Sequence, residues 1–339
     1  MSGPTLVSLY SGAGGFDLGF HRAGFECLQA GDWANAAVAT FETLGICPVE
    51  AGDVYERVFP DHADVVIGGP PCKGFSRLGR MDPCDPRSEH VFFFLSVVGA
   101  LRPAVFVMEN VQALAKAPRW AQVREQLLEL AASLGYTARF LDLNAAHFDV
   151  PQRRTRAFLV GALDQVVPAP IPVSALVPPT VQEAFGALPP YGTPGNEWVA
   201  RARVIPTKSP IMRRGPYRGS KIFNGPGRPL NPETTAPTLP ASMGGNATPI
   251  IDQHLLEDPS IVSWIVEYFA YLVDGGVPLT ASDVPPWIRR ITVEEAAALQ
   301  TFPAGMEWQG SQSAVFQQIG NAVPPNLAYH IALAVREIL

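Results

Sequence analysis

Gly68-Gly-Pro-Pro-Cys72-Lys-Gly-Phe-Ser76 sets one thiol behind two stiff prolines, just past an apolar run suited to a buried strand. A free cysteine is ordinarily an inert small hydrophobe. Here the flanking glycines and the basic Lys73, Arg77 and Arg80 favour a nucleophile instead. A carboxyl group ends another apolar run, in Glu109-Asn110-Val111. Gln152-Arg-Arg-Thr-Arg156 adds Arg154 and Arg156, which strand alternation places on one face. A surface basic cluster is the alternative reading of that pair. Ser11-Gly-Ala-Gly-Gly-Phe16 could bring backbone amides close to a ligand, or could be no more than a tight turn. It is not the dinucleotide fingerprint, because Asp17 stands where the third glycine belongs. Asp32-Trp33 could bind ribose hydroxyls and stack on adenine, while N-capping the next helix is the equal alternative for Asp32.

These groups need a scaffold that gathers strand ends along one edge. Through residue 161, apolar runs suited to buried strands alternate with helical patterns, which predicts an α/β fold with a mostly parallel sheet. Strands are expected at 5–10, 25–30, 64–67, 104–108 and 156–161, and helices after Gly15 and at 35–44, 87–101 and 119–134. Cys72 and Glu109 then emerge at the carboxyl edge, where open α/β sheets bind ligands. Proline is the unusual number. Of 34, 18 fall between Pro168 and Pro259, so that stretch should be loops, turns and short edge strands. An amphipathic segment (292–300) and a helix from about Asn326 close the chain. The expected division is 1–161, a loop-rich insert at 162–286, and a C-terminal return at 287–339.

In order, the Ser11–Phe16 loop, Pro70-Pro-Cys72, Glu109-Asn-Val111, Gln152–Arg156, Leu299-Gln-Thr-Phe-Pro303 and Gln318-Ile-Gly-Asn-Ala-Val-Pro-Pro325 resemble the cytosine-C5 DNA methyltransferases that use S-adenosylmethionine. The resemblance spans nearly the whole chain. It implies a Rossmann-like class I methyltransferase domain, with a smaller target-recognition domain in the proline-rich insert. It also implies base flipping and a covalent route. Cys72 would attack C6, Glu109 would hold a proton near N3, and Arg156 would contact O2 with Arg154 supporting the site. Ser11, Gly12, Gly14, Phe16, Asp32, Trp33, Asp53, Val54, Pro71, Asn321 and Val323 would hold S-adenosylmethionine, released as S-adenosylhomocysteine. Phe16 and Trp33 are expected against the adenine, Asp32 on the ribose and Asp53 near the adenine amino group. Some positions depart from the family pattern: Lys73, Ser88, His90, and Asp149 where glycine is usual. None removes a group the chemistry needs.

The chain's 25 Lys and Arg against 31 Asp and Glu give a net −6, which argues against a protein that coats nucleic acid. Charge is nevertheless segregated. Trp198–Pro232 holds eight basic residues and no acid, leaving −14 elsewhere, so a basic DNA-facing surface is expected on the insert. Arg213, Arg214, Arg218, Lys221 and Arg228 are the candidate phosphate contacts there, and Ser242, Asn246 and Thr248 the candidate base readers. Lys73, Ser76, Arg77 and Arg80 would meet DNA from a loop closing over the flipped base.

Four cysteines, none in a C-x-x-C pair, are too few for a disulfide scaffold and argue against a zinc site, so a reducing compartment and no metal are expected. No signal peptide and no apolar run of membrane-spanning length is visible, which points to the bacterial cytoplasm. The expected partners are double-stranded DNA and a companion restriction endonuclease acting on the same sequence, with the chain itself a monomer. Two alternatives stand beside this. A tRNA methyltransferase is disfavoured because no cysteine follows Cys84 to form the Cys-Phe-Thr of that branch. A catalytically silent DNA-binding relative is disfavoured because Pro-Pro-Cys and Glu-Asn-Val are intact.

Overall fold

The computed structural model describes residues 3–71, 89–174 and 176–339. They divide into two compact units. The first holds the chain through Val150, Arg154–Leu176 and Ala322–Leu339; the second holds Pro151–Arg153 and Val177–Asn321. The sequence placed the crossings at 161 and 286. In the structure the chain passes to the second unit at 176–177 and back at 321–322, because Arg154–Leu176 belongs to the first unit and residues 287–321 pack within the second.

In the first unit, β1 (Thr5–Leu9), β2 (Glu26–Asp32), β3 (Val49–Ala51), β4 (Val65–Gly68), β5 (Val105–Val111), β6 (Tyr136–Asn144) and β8 (Thr155–Leu163) form a seven-stranded sheet. Its order is β3-β2-β1-β4-β5-β8-β6. The β3-β2-β1-β4-β5 pairings are parallel, whereas β8 runs antiparallel to both its neighbours. The short β3 and the edge strand β6 have no counterpart among the expected strands. Polar residues interrupt both, so neither reads as a continuous apolar run.

Helices cover both faces. Leu6, Val65, Ile67, Val105 and Val107 pack with α1 (Gly15–Arg22) and α11 (Pro325–Arg336) through Phe20, Leu327, Ile331 and Val335. Val7, Leu9, Val66, Phe106 and Met108 point the other way, toward α3 (His90–Leu101) and α5 (Ala121–Ser133). This residue-by-residue alternation between two buried clusters is the pleat of a strand covered on both sides. Gly19 lets α11 approach α1, since a Cβ there would lie 2.3 Å from the Ala328 Cβ. The remaining helices of this unit are α2 (Asn35–Glu42) and α4 (Gln112–Lys116). Cys27 and Cys47 are joined by a disulfide, which departs from the all-thiol reading of the sequence.

The second unit is loop-rich, as its prolines require. Its elements are β7 (Gln152–Arg153), α6 (Val181–Gly186), β9 (Pro206–Ile211), β10 (Lys221–Phe223), β11 (Ala236–Pro237), β12 (Ile250–Asp252), α7 (Gln253–Glu257), α8 (Trp264–Val273), β13 (Ile288–Arg290), α9 (Val293–Leu299) and α10 (Gln312–Asn321). Its strands pair only two by two. A core of Val204, Ile222, Phe223, Ile250, Ile265, Tyr268, Leu272 and Ile288 holds them together. Among the described residues, no helix is long and apolar enough to cross a membrane.

Candidate active site

The carboxyl ends of β1 to β5 gather most of the first unit's candidate residues. After β1, Tyr10, Gly12 and Gly14 take left-handed backbone conformations, with φ of 55°, 55° and 81°. The turn is tied to the end of β2, because Gly12 N donates to Asp32 Oδ2 at 3.0 Å and Ala34 N donates to Oδ1 at 2.9 Å. Asp32 therefore joins two loops instead of simply capping α2. Burial pushes its carboxyl upward, against the hydrogen bonds from Ala34 and Gly12.

Several groups at this edge fit an adenosyl ligand. The buried Ser11 Oγ has no hydrogen-bond partner among the described residues, and the space where a Gly12 Cβ would sit is open. Trp33 is 75% exposed, an aromatic face free to stack. Asp53 is exposed at the start of the turn after β3, its Oδ1 accepting from Tyr55 N, and Val54 behind it is buried. Pro71 is half-buried. Phe16 differs from expectation. Its ring is 5% exposed and packs edge-on against Phe20 and Phe158, so it belongs to the core beneath the loop and is not an open stacking surface. Val323 is likewise buried in the first unit's core, whereas Asn321 is exposed at the end of α10 in the second unit.

The candidates for the reacting end lie at β4, β5 and β8. The Glu109 Oε1 is 3.0 Å from Nε of Arg156, and both side chains are largely buried. Burial raises the Glu109 carboxyl above its ordinary range despite the opposing pull of Arg156 and Arg154. Gly69 follows β4, and a Cβ there would lie 3.4 Å from Glu109 Oε2. Asn110 Nδ2 donates to the Pro70 carbonyl at 3.3 Å, fixing the Pro-Pro segment against β5. That segment runs directly into Cys72. Cys72 itself lies outside the described residues, as do Lys73, Ser76, Arg77, Arg80 and Ser88.

Arg154 and Arg156 do not share one continuous strand. Gln152–Arg153 pairs with Ala236–Pro237, and β8 begins only at Thr155. Arg154 sits between them, 1% exposed, its carbonyl accepting from Ala145 N. A surface basic cluster is thereby excluded for Arg154.

Sequence reasoning assigned no role to Asn110, although its neighbour Glu109 was a candidate. It also missed Tyr10, whose hydroxyl lies 3.1 Å from Nδ1 of His90, with Tyr55 packed on the same imidazole. Burial lowers the His90 pKa. The signal for Tyr10 was weak: an aromatic residue ending a strand just before a glycine turn.

In the second unit Arg213, Arg214 and Arg218 are exposed, and so are Ser242 and Asn246. Lys221 and Arg228 are half-buried, and Arg228 donates to the Gly225 carbonyl. Thr248 is a correction. It is fully buried and its Oγ1 accepts from Gly244 N, so it shapes the loop and cannot read a base edge. Among the described residues, no group of three or more His, Cys, Asp or Glu is placed to hold a metal ion.

Comparison with known proteins agrees with this geometry. The chain is 32% identical to the Type II methyltransferase M1.HphI of Haemophilus parahaemolyticus, over 98% of this chain and 86% of that protein. It is 31% identical to M.NgoFVII of Neisseria gonorrhoeae, over 99% and 87%. A candidate DNA modification methyltransferase encoded within an E. coli prophage superposes with a TM-score of 0.68 over 99% of both chains, at 21% identity. Residues 5–220 and 266–337 match the family described as C-5 cytosine-specific DNA methylase, and the chain belongs to that family.

Proposed function

We propose that this DNA cytosine-5 methyltransferase moves a methyl group from S-adenosylmethionine to C5 of a cytosine flipped out of a specific duplex sequence, through a covalent bond between Cys72 and C6. The observation that carries the reading is the buried Glu109–Arg156 pair, set against the Gly69-Pro70-Pro71 lead-in to the thiol.

Cytosine C5 is a weak nucleophile, and the residues at this edge are suited to changing that. When the Cys72 sulfur bonds to C6, the C5–C6 π electrons move into the ring and charge builds toward N3 and O2. Glu109, whose carboxyl burial pushes above its ordinary range, is suited to supply a proton at N3. The Arg156 guanidinium, already oriented by Glu109, faces the negative charge growing at O2. C5 is then enamine-like. S-adenosylmethionine, when bound by the Ser11–Gly14 turn, Asp32, Trp33 and Asp53, supplies a sulfonium methyl as the electrophile. After methylation a base or water takes the C5 proton, the C–H electrons restore the C5–C6 double bond and expel the Cys72 thiolate, and the N3 proton returns to Glu109. Because C6 is hidden in a stacked duplex, the base must leave the helix first. The basic, acid-free 198–232 stretch of the second unit supplies the phosphate contacts that hold the duplex.

Bisulfite sequencing of plasmid DNA from expressing cells tests the substrate: methylated cytosines should recur in one short sequence. The same DNA should resist a restriction endonuclease that cuts that sequence, the expected companion activity. An unmodified plasmid alongside methylated tRNA would overturn the DNA reading. Cys72→Ala should abolish transfer and retain DNA binding, and substantial residual transfer would refute the covalent route.

A further inference from the structure

Arg290 ends β13 and is 2% exposed, yet among the described residues no carboxylate is one of its hydrogen-bond acceptors. Its Nε donates to the Ala202 carbonyl at 3.0 Å. Nη1 donates to the carbonyls of Thr248 at 2.5 Å and Asn246 at 3.3 Å. Nη2 reaches the carbonyls of Arg203 and Asn224, each at 3.4 Å, and Asn224 Oδ1 at 2.9 Å. One planar fork therefore gathers residues 202–203, 224 and 246–248, three segments far apart in the chain. Arg289 beside it makes the opposite choice, pairing bidentately with Glu295 at the start of α9. Strand alternation sends the neighbours to different tasks.

Of the candidate DNA contacts, the gathered segments carry Asn246, and they adjoin exposed arginines of the acid-free 198–232 stretch. Arg201 and Arg203 are exposed on either side of Ala202, and Asn246 is an exposed candidate base reader. Asn224 relays the order outward, since its Nδ2 donates to Asn246 Oδ1 at 2.9 Å and to the Arg203 carbonyl at 3.1 Å. Gly225 and Gly227 allow the close approach. A Cβ at Gly225 would lie 2.4 Å from the Asn246 Cβ, and one at Gly227 would lie 2.8 Å from Arg290 Nη1. Lysine could not replace this fork, because three donors at one point cannot reach carbonyls spread across a plane.

We propose that Arg290 is a positioning residue for sequence discrimination, fixing the register of the 202–203, 224 and 246–248 segments from beneath without touching DNA. The proposal rests on the reading that this face meets DNA. Its guanidinium charge, held by carbonyl oxygens, lies under an already basic surface, which favours phosphate from below as well.

The test compares Arg290→Lys with the unaltered chain, using a duplex that carries the site mapped by bisulfite sequencing and duplexes with one base pair changed. The variant keeps the charge and loses the fork. The KM for DNA should rise about tenfold with kcat within about twofold, and the kcat/KM preference for the mapped site should fall about tenfold, the scale of one misread base pair. S-adenosylmethionine affinity by calorimetry should not move. Asn224→Ala removes the relay together with one acceptor of the fork, leaves the Arg290 guanidinium in place, and should relax discrimination in the same direction, which keeps the test decisive if Arg290→Lys fails to fold. Unchanged discrimination in the folded variants would overturn the proposal. If Arg213→Glu/Arg214→Glu weakens DNA binding in that case, the DNA-facing reading survives alone. If the double reversal also changes nothing, the reading fails and the proposal falls with it.

Discussion

Nε of Arg156 lies 3.0 Å from Oε1 of Glu109, and the reversed direction of β8 makes that contact possible. In the antiparallel register Arg156 stands opposite Val111 and Phe158 opposite Glu109. The beginning of β8 therefore meets the end of β5. In a fully parallel sheet, residues that open a strand would lie at the far edge, a strand length from the carboxyl ends where Glu109 and the Pro-Pro segment emerge. The reversed strand delivers a cation to the acid without any long side-chain excursion.

Glu109→Gln should lower kcat about 100-fold or more while leaving the KM for DNA within a few-fold, because the amide keeps the shape and cannot yield a proton. The pH profile separates this from a packing effect. Burial raises the Glu109 pKa, so the protonated acid persists above the ordinary carboxylate range and is lost as pH climbs through the raised value. The rate of the unaltered enzyme should fall over that interval. If the residual rate of the Glu109→Gln variant shows the same fall, another group is responsible.

The sequence made the site legible to different depths. Glu109 and the Pro-Pro lead-in could be placed because each follows a short apolar run, and a parallel sheet sends such ends to one edge. Arg156 was named as a site residue, but its route there was not readable, since strand direction depends on pairing across the sheet. Thr248 and Asn246 look alike in sequence as small polar loop residues. Their opposite fates, one buried and one exposed, are decided by the fold of residues 244–248 around the Thr248 hydroxyl. Arg290 was invisible as a functional residue because its partners are backbone carbonyls, which carry no residue signature. Asp149 ran the other way. It departs from a family glycine, and the structure gives it a φ of 54°, the backbone region that glycine fits best.

Charge reversal at both Arg213 and Arg214 should weaken DNA binding and leave S-adenosylmethionine binding intact. Both side chains are exposed within the acid-free stretch. If each meets one phosphate, the slope of log K against log salt should fall by about 1.8, at about 0.9 per contact. Binding isotherms across a salt series give that slope. An unchanged slope would place the DNA elsewhere.

Asp17 lies in the first turn of α1, 1% exposed, and burial raises its carboxyl from 3.8 to about 7. Between those values the folded chain keeps a proton that the unfolded chain has lost. Stability therefore falls as pH rises through the interval, by about 1.4 kcal/mol per pH unit at most. Asp17→Asn is neutral throughout and should escape this loss. Urea midpoints at pH 5 and pH 8 should show the variant gaining on the unaltered chain at the higher pH. A constant difference would mean that the carboxyl titrates normally.

Thr301→Gly should stabilise the second unit by about 1 kcal/mol. Helix α9 ends in a double hydrogen bond, with Phe302 N donating to the Ala297 carbonyl and Thr301 N to that of Ala298. This closure requires a left-handed residue at position 301, where φ is 63°. A β-branched side chain is the poorest choice there, since its Cβ crowds the following carbonyl, and glycine pays no such cost. The gain is reduced by the extra freedom glycine gives the unfolded chain. Thr301→Ala separates the two contributions, because it removes the branch and keeps the Cβ. Denaturant midpoints should then rank Gly above Ala and Ala at or above Thr. If Thr is the most stable of the three, the interactions of its side chain outweigh the backbone strain.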